Sequence, residues 1–180
     1  MQRPVEIEFA VNLHDDKSGE FYLLQIRPMV DNRMDINEDL TLVPDDDCLL
    51  RSHNAIGNGI ITDITDVVYV KTDAYQPSQN PSIAEEIERI NRSFLATGTS
   101  PDANGDTSVQ AASYLLIGPG RWGSSDPWLG IPVKWPHISA AQVIVEAGLD
   151  NYQVDPSQGT HFFQNLTSLG VCYLTINAFR

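Results

Sequence analysis

Glu6, Glu8, Gln25 and Arg27 are the residues whose types and spacing best suit chemistry. They supply two carboxylates, a carboxamide oxygen and a guanidinium. An oxygen pair such as Glu8 with Gln25 suits a hard cation like Mg²⁺, and Arg27 suits a phosphate oxygen. The plainer reading of the same groups is a solvated face with one cross-strand salt bridge, which is ordinary on an exposed sheet. A second candidate is Gly118-Pro119-Gly120-Arg121-Trp122-Gly123, in which Arg121 sits among glycines.

The first four residues act together only if one element holds them on one face. From Pro4 to Leu13 apolar and polar residues alternate, with Val5, Ile7, Phe9, Val11 and Leu13 on one side. Such period-two alternation predicts a half-buried strand. A polar run from His14 to Glu20 follows, and a second strand, Phe21 to Arg27, stops at Pro28. The expected hairpin has a four-residue loop, Asp15–Ser18, with His14 opposite Gly19. That register sets Ile7 against Ile26, Phe9 against Leu24 and Val11 against Tyr22. On the other face it sets Glu8 against Gln25 and Glu6 against Arg27. A slip by one residue would put the polar groups on the apolar side.

The segments Glu6-Ile7-Glu8-Phe9-Ala10 and Phe21-Tyr22-Leu23-Leu24-Gln25-Ile26-Arg27-Pro28 resemble the end of a family's nucleotide-binding domain. The family is phosphoenolpyruvate synthase and pyruvate phosphate dikinase. It has an acid-Ile-Glu-aromatic strand and a return strand through Gln-x-Arg-Pro. The resemblance implies an ATP-grasp hairpin in which Glu8 and Gln25 hold Mg²⁺ and Arg27 meets a nucleotide phosphate. Glu6 stands where the family usually has Asp. The loop is longer than the family's usual one.

The chain has 180 residues, 42% of them apolar, and a mean hydropathy of −0.20. It is long enough for one ordinary domain with a sizeable core, and its composition is that of a soluble globular protein. It has no apolar run of about 18 residues to span a membrane and no signal-peptide pattern, so the cytoplasm is the expected compartment. Cys48 and Cys172 are isolated and read as buried thiols, with neither a zinc site nor a disulfide framework. A net charge of −13 with 11 basic residues argues against nucleic acid or an anionic membrane as partner. A protein this acidic binds a polyanion such as ATP only through a local exception: a metal ion, or placed arginines such as Arg27 and Arg121.

A two-stranded hairpin is marginal alone, and nothing upstream supplies the rest of an ATP-grasp fold. The expectation is therefore the C-terminal portion of a larger protein. Its parts are the hairpin at residues 1–30, an acidic linker at 31–47 and a small α/β module at 48–180. Within that linker Asp45-Asp46-Asp47 lacks the spacing of a calcium loop. Beyond it, Cys48 to Ser52, Ile60 to Ile64 and Val67 to Lys71 read as strands. Pro81 to Leu95 reads as a helix capped by Asn80, with Ile83, Ile87, Ile90 and Phe94 inward and pairs Glu85/Arg89 and Glu88/Arg92 outward. Thr97 to Ser108 reads as a surface loop.

Tyr114 to Ile117 reads as a buried strand feeding a literal G-x-G-x-x-G, with Glu146 at a suitable distance for a ribose contact. The dinucleotide reading fails on context, because Ser124-Ser125-Asp126-Pro127 leaves no room for the required helix. What remains is a stiff loop at a strand end. There Arg121 serves a ligand, or the glycines, Trp122 and Trp128 serve packing and Arg121 pairs locally. A strand at Gln142–Glu146 and a helix from His161 to Leu169 follow, with Phe162, Phe163, Leu166 and Leu169 inward and Gly170 just past its end. Val171 to Ile176 closes the chain. His161, in the first turn of its helix, either meets an anion at the helix N-terminus or, as is more usual, belongs to the capping environment, while His14, His53 and His137 lack metal-ligand spacing.

Residues 114 to 176 resemble the region after the hairpin in large bacterial phosphoenolpyruvate/pyruvate-binding or synthase-like proteins. The resemblance rests on G-P-G-R-W-G, the G-I-P-V strand and G-T-H-F-F-Q. No counterpart of the family's phosphohistidine or phosphoenolpyruvate-binding domains is present, nor of the N-terminal Lys and Arg of the ATP-grasp half. The expected fold is α+β: a mixed sheet, with an N-terminal hairpin completing an ATP-grasp-like domain beside the small α/β module. The implied parent is a phosphotransferase using ATP and Mg²⁺ on pyruvate or a related acceptor. The hairpin would bind within the rest of the parent chain, and the isolated chain would be inactive. The rivals are a non-catalytic regulatory or interaction module and a nucleotide-binding domain that has lost catalysis.

Overall fold

Residues 5–15, 18–28, 39–57, 59–97, 112–149, 151–152, 155, 157, 162, 166 and 169–176 are described by a computed structural model. The chain divides into two compact units, Met1–Asp31 and Asn32–Arg180.

In the first unit the alternating residues form β1 (Val5–Leu13) and β2 (Gly19–Pro28), an antiparallel pair. Near the open end Glu6 faces Arg27, Ile7 faces Ile26 and Glu8 faces Gln25, as the expected register has it. Between Glu8 and Phe9 the register shifts by one, so Phe9 faces Leu23, Val11 faces Phe21 and Leu13 faces Gly19. The expected pairs Phe9/Leu24, Val11/Tyr22 and His14/Gly19 are therefore corrected. Leu24 is the extra residue of a bulge, and the amide of His14 donates to the Ser18 carbonyl at 2.9 Å across the turn. The physical reason lies in the doublet Leu23-Leu24. It lets the apolar side of β2 run through Phe21, Leu23 and Ile26, changing phase once without moving Gln25. Phe9 and Phe21 stack with ring centroids 5.0 Å apart. The hairpin's apolar side chains, Ile7, Phe9, Val11, Phe21 and Leu23 among them, are exposed.

The second unit is built on a five-stranded mixed sheet in the order β3-β9-β8-β5-β4. Its strands are β3 (Asn54–Ile56), β4 (Ile64–Tyr69), β5 (Ser113–Pro119), β8 (Ala141–Ala147) and β9 (Cys172–Ile176). Four run parallel, and β3 joins the β9 edge antiparallel. The central strands read as continuous apolar runs, Tyr114-Leu115-Leu116-Ile117 and Val143-Ile144-Val145, as a parallel sheet buried on both faces requires. The long crossover from β4 to β5 carries α1 (Asn80–Thr97). Its Ala84 and Ile87 join Tyr114, Leu116, Ile144, Tyr173 and Leu166 in the larger core cluster. Leu115, Val143 and Val145 form the core on the other face, against Leu50, Ile61 and Ile64.

Several local expectations change. Asn80 is not a cap: its backbone is helical, and the chain enters α1 through a 3₁₀ turn at Pro77–Gln79. Fully buried, Asn80 accepts from the Tyr75 hydroxyl at 2.9 Å and donates to the Pro127 carbonyl at 2.6 Å. Arg89 bonds Glu86 at 2.9 Å rather than Glu85, and Arg92 bonds Glu88 as expected. Cys48 to Ser52 is not a strand, because Arg51 gathers that segment into a turn. It donates to Asp45 at 2.8 Å, to the Leu40 carbonyl at 3.0 Å and to the Val43 carbonyl. Ile60 to Asp63 is not strand either: β4 starts at Ile64, where its partner β5 starts at Ser113. Leu169 is 52% exposed, since Gly170 at φ 74° turns the chain into β9 just after it. Cys48 and Cys172 are free and half-buried rather than buried, and burial raises the Cys172 thiol pKa. The loop expected from Thr97 lies outside the described residues beyond Thr97 itself, and so does His161. No described helix is long and apolar enough to cross a membrane.

Candidate functional site

The hairpin brings Glu8 directly opposite Gln25, and Glu6 directly opposite Arg27. Opposed residues of an antiparallel pair share a face with Cβ atoms about 5 Å apart. A carboxylate and a carboxamide at that spacing can offer oxygens to one cation, and Arg27 follows two residues further along β2. The bulge at Leu24 sits immediately beside the pair, a position where bulges commonly re-aim side chains. Glu8 and Gln25 are both exposed; the side chains of Glu6 and Arg27 lie outside what is described. Nearer the turn, Glu20 accepts from the Tyr22 hydroxyl at 2.5 Å and lies 4.0 Å from His14. The Glu20 bond, more than burial, raises the Tyr22 pKa. Among the described residues no group of three or more His, Cys, Asp or Glu side chains is placed to hold a metal ion. A cation at Glu8 and Gln25 would thus draw its remaining ligands from phosphate oxygens and water, which is how Mg²⁺ is usually held.

The glycine loop is built differently from a ligand cradle. Beyond β5 the chain forms β6 (Arg121–Trp122), which pairs in parallel with β7 (Gly130–Ile131). A Cβ on Gly118 would overlap the Trp122 ring, and one on Gly123, at φ 74°, would overlap Phe162. At Gly120, with φ 70°, it would come within 2.6 Å of the Tyr152 ring. The protein's own aromatics therefore fill the space that the glycines leave. Trp122 is buried and donates its indole N–H to the Val145 carbonyl at 2.9 Å, as the packing alternative has it, whereas Trp128, the other tryptophan of that alternative, is 66% exposed. Arg121 is half-buried and donates through Nε to the Asp155 carbonyl at 2.6 Å. Asp126 is engaged with the Trp128 amide at 2.9 Å instead of with Arg121. Among the described residues the guanidinium is thus held by a neutral carbonyl and meets no carboxylate.

Sequence reasoning missed Glu146 as a structural centre. This carboxylate is 5% exposed near the end of β8. It accepts the Trp122 amide at 2.9 Å, the Ser157 amide at 3.0 Å, the Ser157 hydroxyl and the Tyr173 hydroxyl. Burial, then the Glu146 charge, raises the Tyr173 pKa. An acid following the apolar run Val143-Ile144-Val145 is the signal that could have found it. With four donors and, among the described residues, no cation, Glu146 fastens three segments at the carboxyl end of the sheet. Asn91, also missed, does the same from α1, accepting from the Tyr114 hydroxyl and the Ala140 amide, each at 2.9 Å.

Compared with known proteins, the chain matches no family model, no curated protein and no solved structure.

Proposed function

We propose that this chain carries the metal- and phosphate-binding hairpin of a phosphoenolpyruvate synthase-like phosphotransferase, one that uses ATP and Mg²⁺ on pyruvate or a related acceptor. The observation that carries the reading is the opposition of Glu8 and Gln25 beside Glu6 and Arg27, obtained although a bulge resets the rest of the register. In this reading Glu8 and Gln25 hold Mg²⁺ against nucleotide phosphates, and Arg27 neutralises a phosphate oxygen. That work is positioning and charge neutralisation, which dominate phosphoryl transfer. The exposed apolar side of the hairpin supports the same reading. A two-stranded ribbon gains stability when further strands or a helix cover such a face, as the rest of an ATP-grasp-like domain would. Arg121 is a second anion contact only in the parent protein, and the isolated chain is inactive.

The test compares pyruvate-dependent ATP turnover by the longer parent protein with that of its Glu8→Gln and Arg27→Met variants. Each substitution is expected to lower turnover by about 10²-fold or more, as for loss of a group that stabilises transferring charge, with little change in melting temperature. Undiminished turnover in both variants would leave the non-catalytic module as the better account.

A further inference from the structure

We propose that the groove between β4 and α1 binds the carboxyl-terminal end of an extended peptide with an apolar last residue. The groove has a volume of about 440 Å³ and is polarised along its length. Because α1 returns after β4, the strand's end lies near the helix's start. There Lys71, Gln79 and Ser82 line the groove, while Val68, Ile83 and Ile87 give the rest an apolar floor. Lys71 has no carboxylate partner among the described residues, and Glu86 on the opposite rim is already engaged by Arg89 at 2.9 Å. Lys71 thus brings to the groove's lining an ammonium with no described carboxylate partner, which suits an anion with an apolar body behind it.

The strand decides what kind of anion. β4 is the edge of the sheet, and no described strand pairs with its outer side. Val70 donates inward to the Ile117 carbonyl at 3.0 Å, so the alternate residues Tyr69 and Lys71 turn their main-chain N–H and C=O outward. Tyr69 is 61% exposed. A fatty acyl chain laid in the groove would cover those groups without bonding them, at a desolvation cost. An extended peptide running parallel to β4 bonds them as an added strand, places its last apolar side chain over Ile83 and Ile87, and brings its terminal carboxylate to Lys71.

The test titrates the full 180-residue chain with acetylated pentapeptides ending in Val, Ile, Leu or Phe. Each is used as the free acid and as the terminal amide, and decanoate is titrated alongside. At least one free acid is expected to bind and to shift the backbone amide signals of Tyr69 and Lys71. Its amide should bind about fivefold more weakly, the upper range for an exposed charge pair. Lys71→Met should reduce the acid to the amide's affinity and leave the amide unchanged. Three results would each overturn the proposal: no free acid binding at millimolar concentration, amides binding as tightly as acids, or decanoate alone perturbing the groove.

Discussion

The backbone N–H of Trp122 donates to Glu146 Oε1 at 2.9 Å, so the loop that follows β5 is held by the acid that ends the neighbouring strand. The same carboxylate takes the Ser157 amide and hydroxyl and the Tyr173 hydroxyl. Removing it strands several buried donors at once.

Glu146→Ala is therefore expected to destabilise the chain by about 3 kcal/mol or more, the usual cost of breaking a buried hydrogen-bonded charge. Glu146→Gln keeps the shape but points an amide donor at existing donors, and it should lie between wild type and Ala. Urea midpoints measure both. A loss below about 0.5 kcal/mol for the Ala variant would mean that the clamp carries no stability.

Arg121→Ala should behave oppositely. Its described polar partner is a neutral carbonyl, that of Asp155, so the expected loss is about 1 kcal/mol, that of one hydrogen bond. A thermal melt showing a loss of about 3 kcal/mol or more would mean that Arg121 belongs to a buried pair and should be withdrawn as an anion contact.

Gly118→Ala and Gly123→Ala test the filling of the glycine loop. The first pushes a methyl group into Trp122; the second adds strain at φ 74° to a clash with Phe162. Each should cost about 2 kcal/mol or more by calorimetry, within the range for overpacking and strained backbone. Tolerance of both would restore the loop as an open cradle.

Alkaline pH supplies another check. Burial raises the Tyr114 pKa above its ordinary value of 10.0, and burial with the Glu146 charge raises that of Tyr173. The folded state thus holds these protons more tightly than the unfolded chain does. Their stabilisation is complete below pH 10.0 and is lost as pH rises above it. The urea midpoint should fall as pH rises above about 10, and less steeply in Tyr114→Phe.

What the sequence made legible follows from periodicity. Strict alternation exposed the hairpin and the Glu8/Gln25 pair, and apolar runs marked the central strands β5 and β8. The amphipathic stripe marked α1. The bulge stayed hidden because one extra residue at Leu24 leaves both ends of the pairing plausible; only the doublet Leu23-Leu24 hints at it. Asn80 and Glu146 were misread for a shared reason. Polar residues at element ends usually meet solvent, and only the folded chain brings the Pro127 carbonyl or Ser157 to them. The glycine loop left two readings open, a ligand loop or a packed turn, because sequence shows where side chains are missing, not which aromatic rings fill the gap.

In the proposed function Glu8 and Gln25 share a cation that bridges to nucleotide phosphate. Mn²⁺, a paramagnetic stand-in for Mg²⁺, tests it directly when added with ATP to the ¹⁵N-labelled chain. With few ligand groups present, affinity is expected only near the millimolar range, about 4 kcal/mol. Selective broadening of the amide signals around Glu8 and Gln25 is expected, abolished by Glu8→Gln and competed by Mg²⁺. Broadening centred on another part of the chain, or broadening at the hairpin that survives Glu8→Gln, would contradict it.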